Sequence, residues 1–292
     1  MIKKLVGLLL LAGGLFPASS RAQVPTEPAL LWKISNGRGP TTSTPSYLFG
    51  TIHLICPQDF SLSDTLKSCL KQTEQVALEI DMDDPGLMTA MAQGMLMRND
   101  NKLSQLLPEP QYQHLHRFFK DSVGMNISTF DRAKPFMLMS ILFNRVLACQ
   151  PQSYEMALVG LAKQQQAEVV GLETVAEQMA VFDSIPYEKQ AYMLVQFIDS
   201  LPQARQEFGA MVKLYKQQDV AGLFNLTLES TFELEGQQET LLFARNRRWI
   251  PLMAQMMQAK PTFFAVGAAH LGGEEGVIAL LRKQGYRVEP VR

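Results

Sequence analysis

Two of the four histidines in this 292-residue chain sit in matching surroundings near its opposite ends. Tyr47-Leu-Phe-Gly50-Thr-Ile-His53 and Thr262-Phe-Phe-Ala-Val-Gly267-Ala-Ala-His270 each run an apolar, β-favouring segment into a glycine and place a histidine three residues later. A strand that ends at glycine can turn sharply, because glycine tolerates backbone angles closed to other residues. Each histidine is therefore expected to point across the sheet edge, where the two could share one ligand. Two carboxylates fall at the ends of further strand-like segments: Glu79 in Val76-Ala-Leu-Glu-Ile80, and Glu173 in Glu168-Val-Val-Gly-Leu-Glu173.

Two imidazoles and one or two carboxylates can form the inner shell of a divalent cation. Histidine suits borderline ions and carboxylate harder ones, so manganese, cobalt and zinc all remain open. Three protein ligands leave a position for water, whose acidity the cation raises while it polarises a substrate carbonyl. The assignment is His53, Glu79 and His270 as ligands, with Glu173 as base or fourth ligand. Glu79 has apolar neighbours, which argues for a ligand role or an ion pair, with Arg245 as a candidate partner. Arg245 and Asn246 lie in a helix that could face the same crevice and hold a carboxylate or a developing oxyanion. A solvated helix face is the other reading of the run Arg245 to Arg248. His114 and His116, two apart on a helix, point in different directions and are expected at the surface.

These side chains meet only if the strands share one edge. Leu30 to Ile34 and Ser46 to Gly50 read as a hairpin across the turn-prone Asn36-Gly-Arg-Gly-Pro40. The next strand, Val76 to Ile80, follows a helix with apolar spacing at Leu62, Leu66, Cys69 and Leu70, which makes a βαβ unit with parallel strands. The middle is helical: Leu87 to Met97, a helix opened by Pro108 and Pro110, Phe136 to Ala148, Glu155 to Gln166, and four more patterns up to residue 224. The α/β rhythm then resumes with a helix from Glu239 to Met257, a strand from Thr262, a helix from Glu274 to Lys283 stopped by Gly285, and a strand from Tyr286 to Val291. The expected fold is α/β, a mostly parallel central sheet drawn from both ends of the chain. In open sheets of this kind ligands bind outside the carboxyl ends of the strands. Methionines 88, 91 and 95, and 253, 256 and 257, are read as core packing rather than as copper ligands, since no histidine accompanies them.

Residues 1–22 read as a secretory signal: Lys3 and Lys4, an apolar run from Leu5 to Leu15, and a small-x-small cleavage site at Ser20-Arg-Ala22. Loss of Lys3, Lys4 and Arg21 takes the 27 basic residues to 24 against 28 acidic ones, a net charge of −4, which does not suit nucleic acid. Without another apolar run of about 18 residues, no membrane anchor is expected after cleavage, and residues 23–292 form a single domain with helical insertions at about 85–165 and 176–235. The location is periplasmic or secreted. Of the three cysteines, Cys56 and Cys69 are closest in sequence and are the expected disulfide; three buried thiols are the other reading. The His-Glu-x-x-His, Gly-x-Ser-x-Gly and Gly-x-x-x-x-Gly-Lys motifs are missing, which disfavours serine hydrolases and nucleotide enzymes.

The pieces Leu48-Phe-Gly-Thr-Ile-His53, Leu78-Glu-Ile-Asp81, Gly171-Leu-Glu-Thr174, Arg245-Asn246 with Trp249, and Ala265-Val-Gly-Ala-Ala-His-Leu271 followed by Gly272-Gly occur in an order that resembles the TraB/PrgY/GumN family. The resemblance covers nearly all of the chain after the leader. It implies an α/β fold shared with the erythromycin esterase-like superfamily, and metal-dependent cleavage of peptide bonds in the manner of the family's animal members, the Tiki enzymes. The functional expectation is thus an exported divalent-metal-dependent hydrolase acting on a peptide or protein. The alternative is a non-catalytic periplasmic protein that holds a peptide or haem in the same crevice.

Overall fold

The computed structural model describes residues 27–37, 44–230 and 237–292; the expected signal segment and part of the first turn lie outside them. Leu31–Asn36 (β1) and Ser46–Thr51 (β2) pair as the antiparallel hairpin, Trp32 opposite Leu48. After a short strand, Leu54–Ile55 (β3), helix Asp64–Lys71 (α1) starts where the Ser63 side chain accepts the Leu66 N–H, and it leads to Gln75–Leu78 (β4).

Helices Leu87–Gly94 (α2), Leu103–Leu106 (α3), Glu109–Phe118 (α4) and Pro135–Leu147 (α5) follow. Pro110 sits in the first turn of α4, where its missing N–H costs nothing. Gln152–Ser153 (β5) pairs with β3 and runs into Tyr154–Gln164 (α6) and Glu168–Gly171 (β6). Val175–Asp183 (α7) opens with a capping box between Thr174 and Glu177, which fixes the turn immediately after Glu173. Tyr187–Asp199 (α8), Leu201–Lys216 (α9), Val220–Glu229 (α10) and Ala244–Ala259 (α11) lead to Thr262–Gly267 (β7), Val277–Lys283 (α12) and Tyr286–Pro290 (β8).

The main sheet has six strands in the order β6-β4-β7-β2-β1-β8. The first four are parallel, and β1 and β8 close one edge antiparallel, so the fold is α/β as expected. β2 and β7 are buried at every position, as strands covered on both faces must be. Trp32, Leu48, Phe263, Phe264 and Trp249 fill the core around the sheet. A second apolar core, with Leu115, Phe119, Leu142 and Phe197, holds helices α3, α4, α5 and α8 together.

The disulfide joins Cys56 to Cys149, not to Cys69, which is buried and free. Nearness in sequence misled here: Cys69 shares the inner face of α1 with Leu66 and Leu70, whereas β3 pairing with β5 brings the loops carrying Cys56 and Cys149 together. The bond clamps the two short strands that are flanked by His53 and Glu155. Replacing both cysteines, Cys56→Ser with Cys149→Ser, is expected to cost about 4 to 5 kcal/mol, because the bond spans 93 positions of the chain; a urea melt checks this.

The methionines divide. Met253 is buried, and Met256 and Met257 pack on the sheet core. Of the other three, expected in the core, Met88 is 75% exposed and Met91 and Met95 are half-buried, because Leu87 is the one fully buried residue of α2.

Candidate active site

β7 enters the sheet between β4 and β2, so the carboxyl ends of three parallel strands from both ends of the chain stand side by side. His53 follows β2, Glu79 is the first residue after β4, Glu173 lies just past β6, and His270 follows β7 on a single 3₁₀ turn. The Nε2 atoms of His53 and His270 are each 3.9 Å from Glu79 Oε1. The Gly267 N–H donates to that same oxygen at 2.8 Å.

Both motif glycines are needed for space, and the sharp-turn reason given above does not apply. Among the described residues the glycines with positive φ are Gly124, Gly273 and Gly285, and Gly267 has φ −53°. A Cβ on Gly50 would lie 2.7 Å from Leu271 Cδ1 and 3.1 Å from Ala268 Cα, so β2 and the turn that carries His270 would have to move apart by a few tenths of an ångström. A Cβ on Gly267 would lie 3.2 Å from His53 Nε2, 3.4 Å from Glu79 Oε1 and 3.6 Å from His270 Cδ2.

Each imidazole is held at its far nitrogen. His270 Nδ1 is 2.6 Å from Asn246 Oδ1. The Asn246 amide NH₂ donates to Glu275 O at 2.7 Å, which leaves Oδ1 as acceptor and puts the proton on His270 Nδ1. His270 Nε2 therefore presents a lone pair, which accepts from Arg245 Nη1 at 3.2 Å. His53 Nδ1 is 2.9 Å from Glu155 Oε1, which also accepts from Thr51 Oγ1 at 2.7 Å, while Ser153 Oγ donates to Glu155 Oε2. An acceptor behind each ring fixes tautomer and orientation, the usual arrangement behind metal-binding histidines.

Arg245 is 8% exposed. Nη2 donates at 2.5 Å to both Glu79 Oε2 and Glu173 Oε1, Nε donates to both Glu173 oxygens, and Nη1 also donates to the Leu241 carbonyl. The guanidinium lies over the Trp249 ring at 4.8 Å, and that ring packs on His270. Glu173, with Gln178 as a further donor, is thus fully engaged in holding Arg245.

These contacts set the charge states. Burial works to raise the Glu79 pKa, but Arg245, the two imidazoles and the Gly267 N–H outweigh it and hold the carboxyl well below the usual range. His270 is pushed down to about 3 by burial, with Arg245 and His53 adding to it against Glu79, so it is neutral and able to ligate. For His53, desolvation lowers the pKa, but Glu155 and then Glu79 prevail and bring it up to about 9, so the ring is protonated at neutral pH and has to lose that proton before Nε2 can ligate.

Among the described residues, no group of three or more His, Cys, Asp and Glu side chains is arranged closely enough to hold a metal ion as it stands. Two donors bonded to one metal at about 2.1 Å lie about 3.4 Å apart in a tetrahedral shell, so the 3.9 Å separations must close by about half an ångström. The side chain of His53 is 62% exposed and can make that movement. In donor chemistry the set fits a divalent cation: two anchored imidazoles, one ionised carboxylate, and a side-chain-free glycine among them.

The structure therefore brings His53, Glu79, Glu173, Arg245, Asn246 and His270 together. It leaves His114 apart on α4, paired with Asp199 at 2.6 Å, and His116 half-buried on the same helix. Sequence reasoning missed Glu155. It stands in the first turn of a helix behind Ser153, where an acid is ordinary, and only the pairing of β3 with β5 brings it to His53.

Among curated proteins the chain is similar to Metalloprotease TIKI2 of Danio rerio, at 24% identity over 89% of this chain and 60% of that protein. It is similar to Metalloprotease TIKI1 of Homo sapiens at 24% over 89% and 61%, and to the Metalloprotease TIKI homolog of Amphimedon queenslandica at 24% over 99% and 66%. The chain thus spans about three fifths of the length of the first two of these relatives. No solved structure matches it significantly. Residues 30–290, nearly the whole of the described structure, match the family model, and the chain belongs to the TraB/PrgY/gumN family.

Proposed function

We propose that this protein is an exported, divalent-metal-dependent hydrolase of peptide bonds, with His53, Glu79 and His270 as its metal ligands. The observation that carries the reading is the convergence of two anchored imidazole Nε2 atoms on one oxygen of Glu79. The relatives are named metalloproteases, which agrees with it. Export is supported by the leader-like residues 1–22 and by the Cys56–Cys149 disulfide, a bond that persists in oxidising compartments. No helix among the described residues is long and apolar enough to cross a membrane.

A bound divalent cation would supply Lewis-acid polarisation of the scissile carbonyl and acidify a water molecule. The chain's own residues do the rest. Asn246 holds His270 with its lone pair toward the crevice, and Glu155 holds His53 with Nε2 facing the same way, a nitrogen that must give up its proton when a cation binds. Arg245 keeps Glu79 ionised, and once His270 Nε2 gives its lone pair elsewhere, Arg245 Nη1 has a hydrogen available for the oxygen that gains charge as the carbonyl is attacked. Glu173 positions Arg245; to serve as base or fourth ligand it would have to leave that ion pair. In the net reaction one water is consumed: its oxygen bonds to the carbonyl carbon, the C–N bond breaks, and both hydrogens end on the departing ammonium opposite the new carboxylate.

Glu155→Gln tests the support behind His53. It keeps the shape but removes the charge that favours Nδ1–H, and it is expected to weaken metal affinity about 10- to 100-fold while leaving the fold intact. A competition titration with a fluorescent chelator reads this, and unchanged affinity would remove Glu155 from the site.

A further inference from the structure

A cavity of about 300 Å³ opens at the proposed centre, its wall formed in part by His53, Gly267, His270 and Arg245. From there it runs between the inserted helices, lined by Phe136, Met139 and Phe143 of α5, Phe208 and Met211 of α9, and Leu226 of α10. Apart from the residues of the centre itself, Glu207 is its one ionisable lining residue among those described except for Tyr215. Both carboxylate oxygens of Glu207 already accept hydrogen bonds, from Gln203 at 3.0 Å and Ser230 at 3.2 Å. The hydroxyl of Tyr215 donates to the Gly50 carbonyl.

We propose that this cavity receives a bulky apolar side chain, aromatic or long aliphatic, of the residue flanking the scissile bond, and so selects peptides that carry one. This rests on the peptidase reading above. A peptide whose scissile carbonyl lies beside His53 and His270 has its neighbouring side chain next to the cavity, because the same two residues line it. An acidic side chain entering would lose its water and meet no cation beyond the centre. A basic one would find a single carboxylate, Glu207, which already accepts from Gln203 and Ser230, and would leave its other N–H groups among phenylalanine and methionine side chains. An aromatic or aliphatic side chain meets phenylalanine rings and methionine sulfurs, which pack favourably on rings and adapt to shape. The size is at the lower end of the range for small-ligand pockets, enough for a large side chain and too small for a folded partner.

The test uses short blocked peptides in which the scissile amide is replaced by a reduced, uncleavable linkage, with the same residue on both sides of it: Phe, Leu, Gly, Asp or Lys. Binding to the full chain without added metal is measured by calorimetry, so the readout does not depend on turnover. The Phe and Leu peptides are expected to bind about 10- to 100-fold more tightly than the Gly peptide, and the Asp and Lys peptides no better than Gly. Met211→Trp, which fills the cavity, is expected to bring the Phe peptide down to the Gly level in protein whose thermal melt shows it folded. Equal affinity across the wild-type series, or a preference for Lys or Asp, would overturn the proposal whether or not the variant folds. Cleavage of the matching amide peptides by metal-loaded protein separates the two readings. Selective binding without cleavage upholds the cavity and defeats the hydrolase; cleavage without selectivity defeats the cavity alone.

Discussion

Arg245→Met is expected to destabilise the protein by about 3 to 5 kcal/mol, the usual result of breaking a buried ion pair from one side. Arg245 is the cation between two carboxylates, Glu79 and Glu173, that are themselves 8% and 7% exposed. Without it both must either protonate or remain charged against apolar walls. The methionine replaces the volume of the side chain but none of its hydrogen bonds. For a chain of this size the loss corresponds to about 10 °C in Tm, measured in the presence of a chelator so that no cation substitutes for the guanidinium. Arg245→Lys should fall between the two, since an ammonium keeps the charge but cannot serve Glu79, Glu173 and the Leu241 carbonyl in one plane. A shift of about 2 °C or less for the methionine variant would mean that the buried triad is not the strut described here.

Gly267→Ala is expected to abolish metal binding without unfolding the chain. The backbone at Gly267, with φ −53°, is open to alanine, so no conformational strain opposes the change. The new methyl group would instead stand among His53 Nε2, Glu79 Oε1 and His270 Cδ2, in the space the three proposed ligands surround. Closing those donors onto a cation would press them against a carbon that His53 Nε2, at 3.2 Å, already crowds and that Glu79 Oε1 and His270 Cδ2 already touch. The expected loss in affinity is about 100-fold or more, beyond what removal of a supporting hydrogen bond causes, with Tm nearly unchanged. Metal affinity equal to that of the unaltered protein would place the cation, if there is one, away from this cradle.

Much of this arrangement was legible in the residues, for identifiable reasons. Apolar runs ending in Gly50 and Gly267, and the strand segments carrying Glu79 and Glu173, are local patterns, and parallel strands with helical crossovers must bring their carboxyl ends to one edge. The strand order was not legible. β7 pairs with β2 and β4 across most of the chain, and no local periodicity encodes which strands become neighbours. For Arg245 two readings stood side by side, an inward partner of Glu79 and a solvated helix face, and the structure shows the first: in a run of three arginines the side chain that turns inward is chosen by what packs beside α11, here Trp249 and the β7 turn. The disulfide was misread because sequence distance stood in for spatial distance, and the two-residue strands that bring Cys56 to Cys149 are too short to signal themselves. The motif glycines were found, but for the wrong reason: they provide room for close approach, which depends on partners that come from elsewhere in the fold.

The most direct measurement is the metal content of the purified protein after loading with manganese, cobalt or zinc and removal of excess, set beside His53→Ala and His270→Ala variants that melt as folded proteins. One bound divalent ion in the unaltered chain and a loss of that ion in both variants is the predicted result. An ion retained in either variant, or none bound by the unaltered chain, would contradict the shared centre from which the proposed chemistry is built.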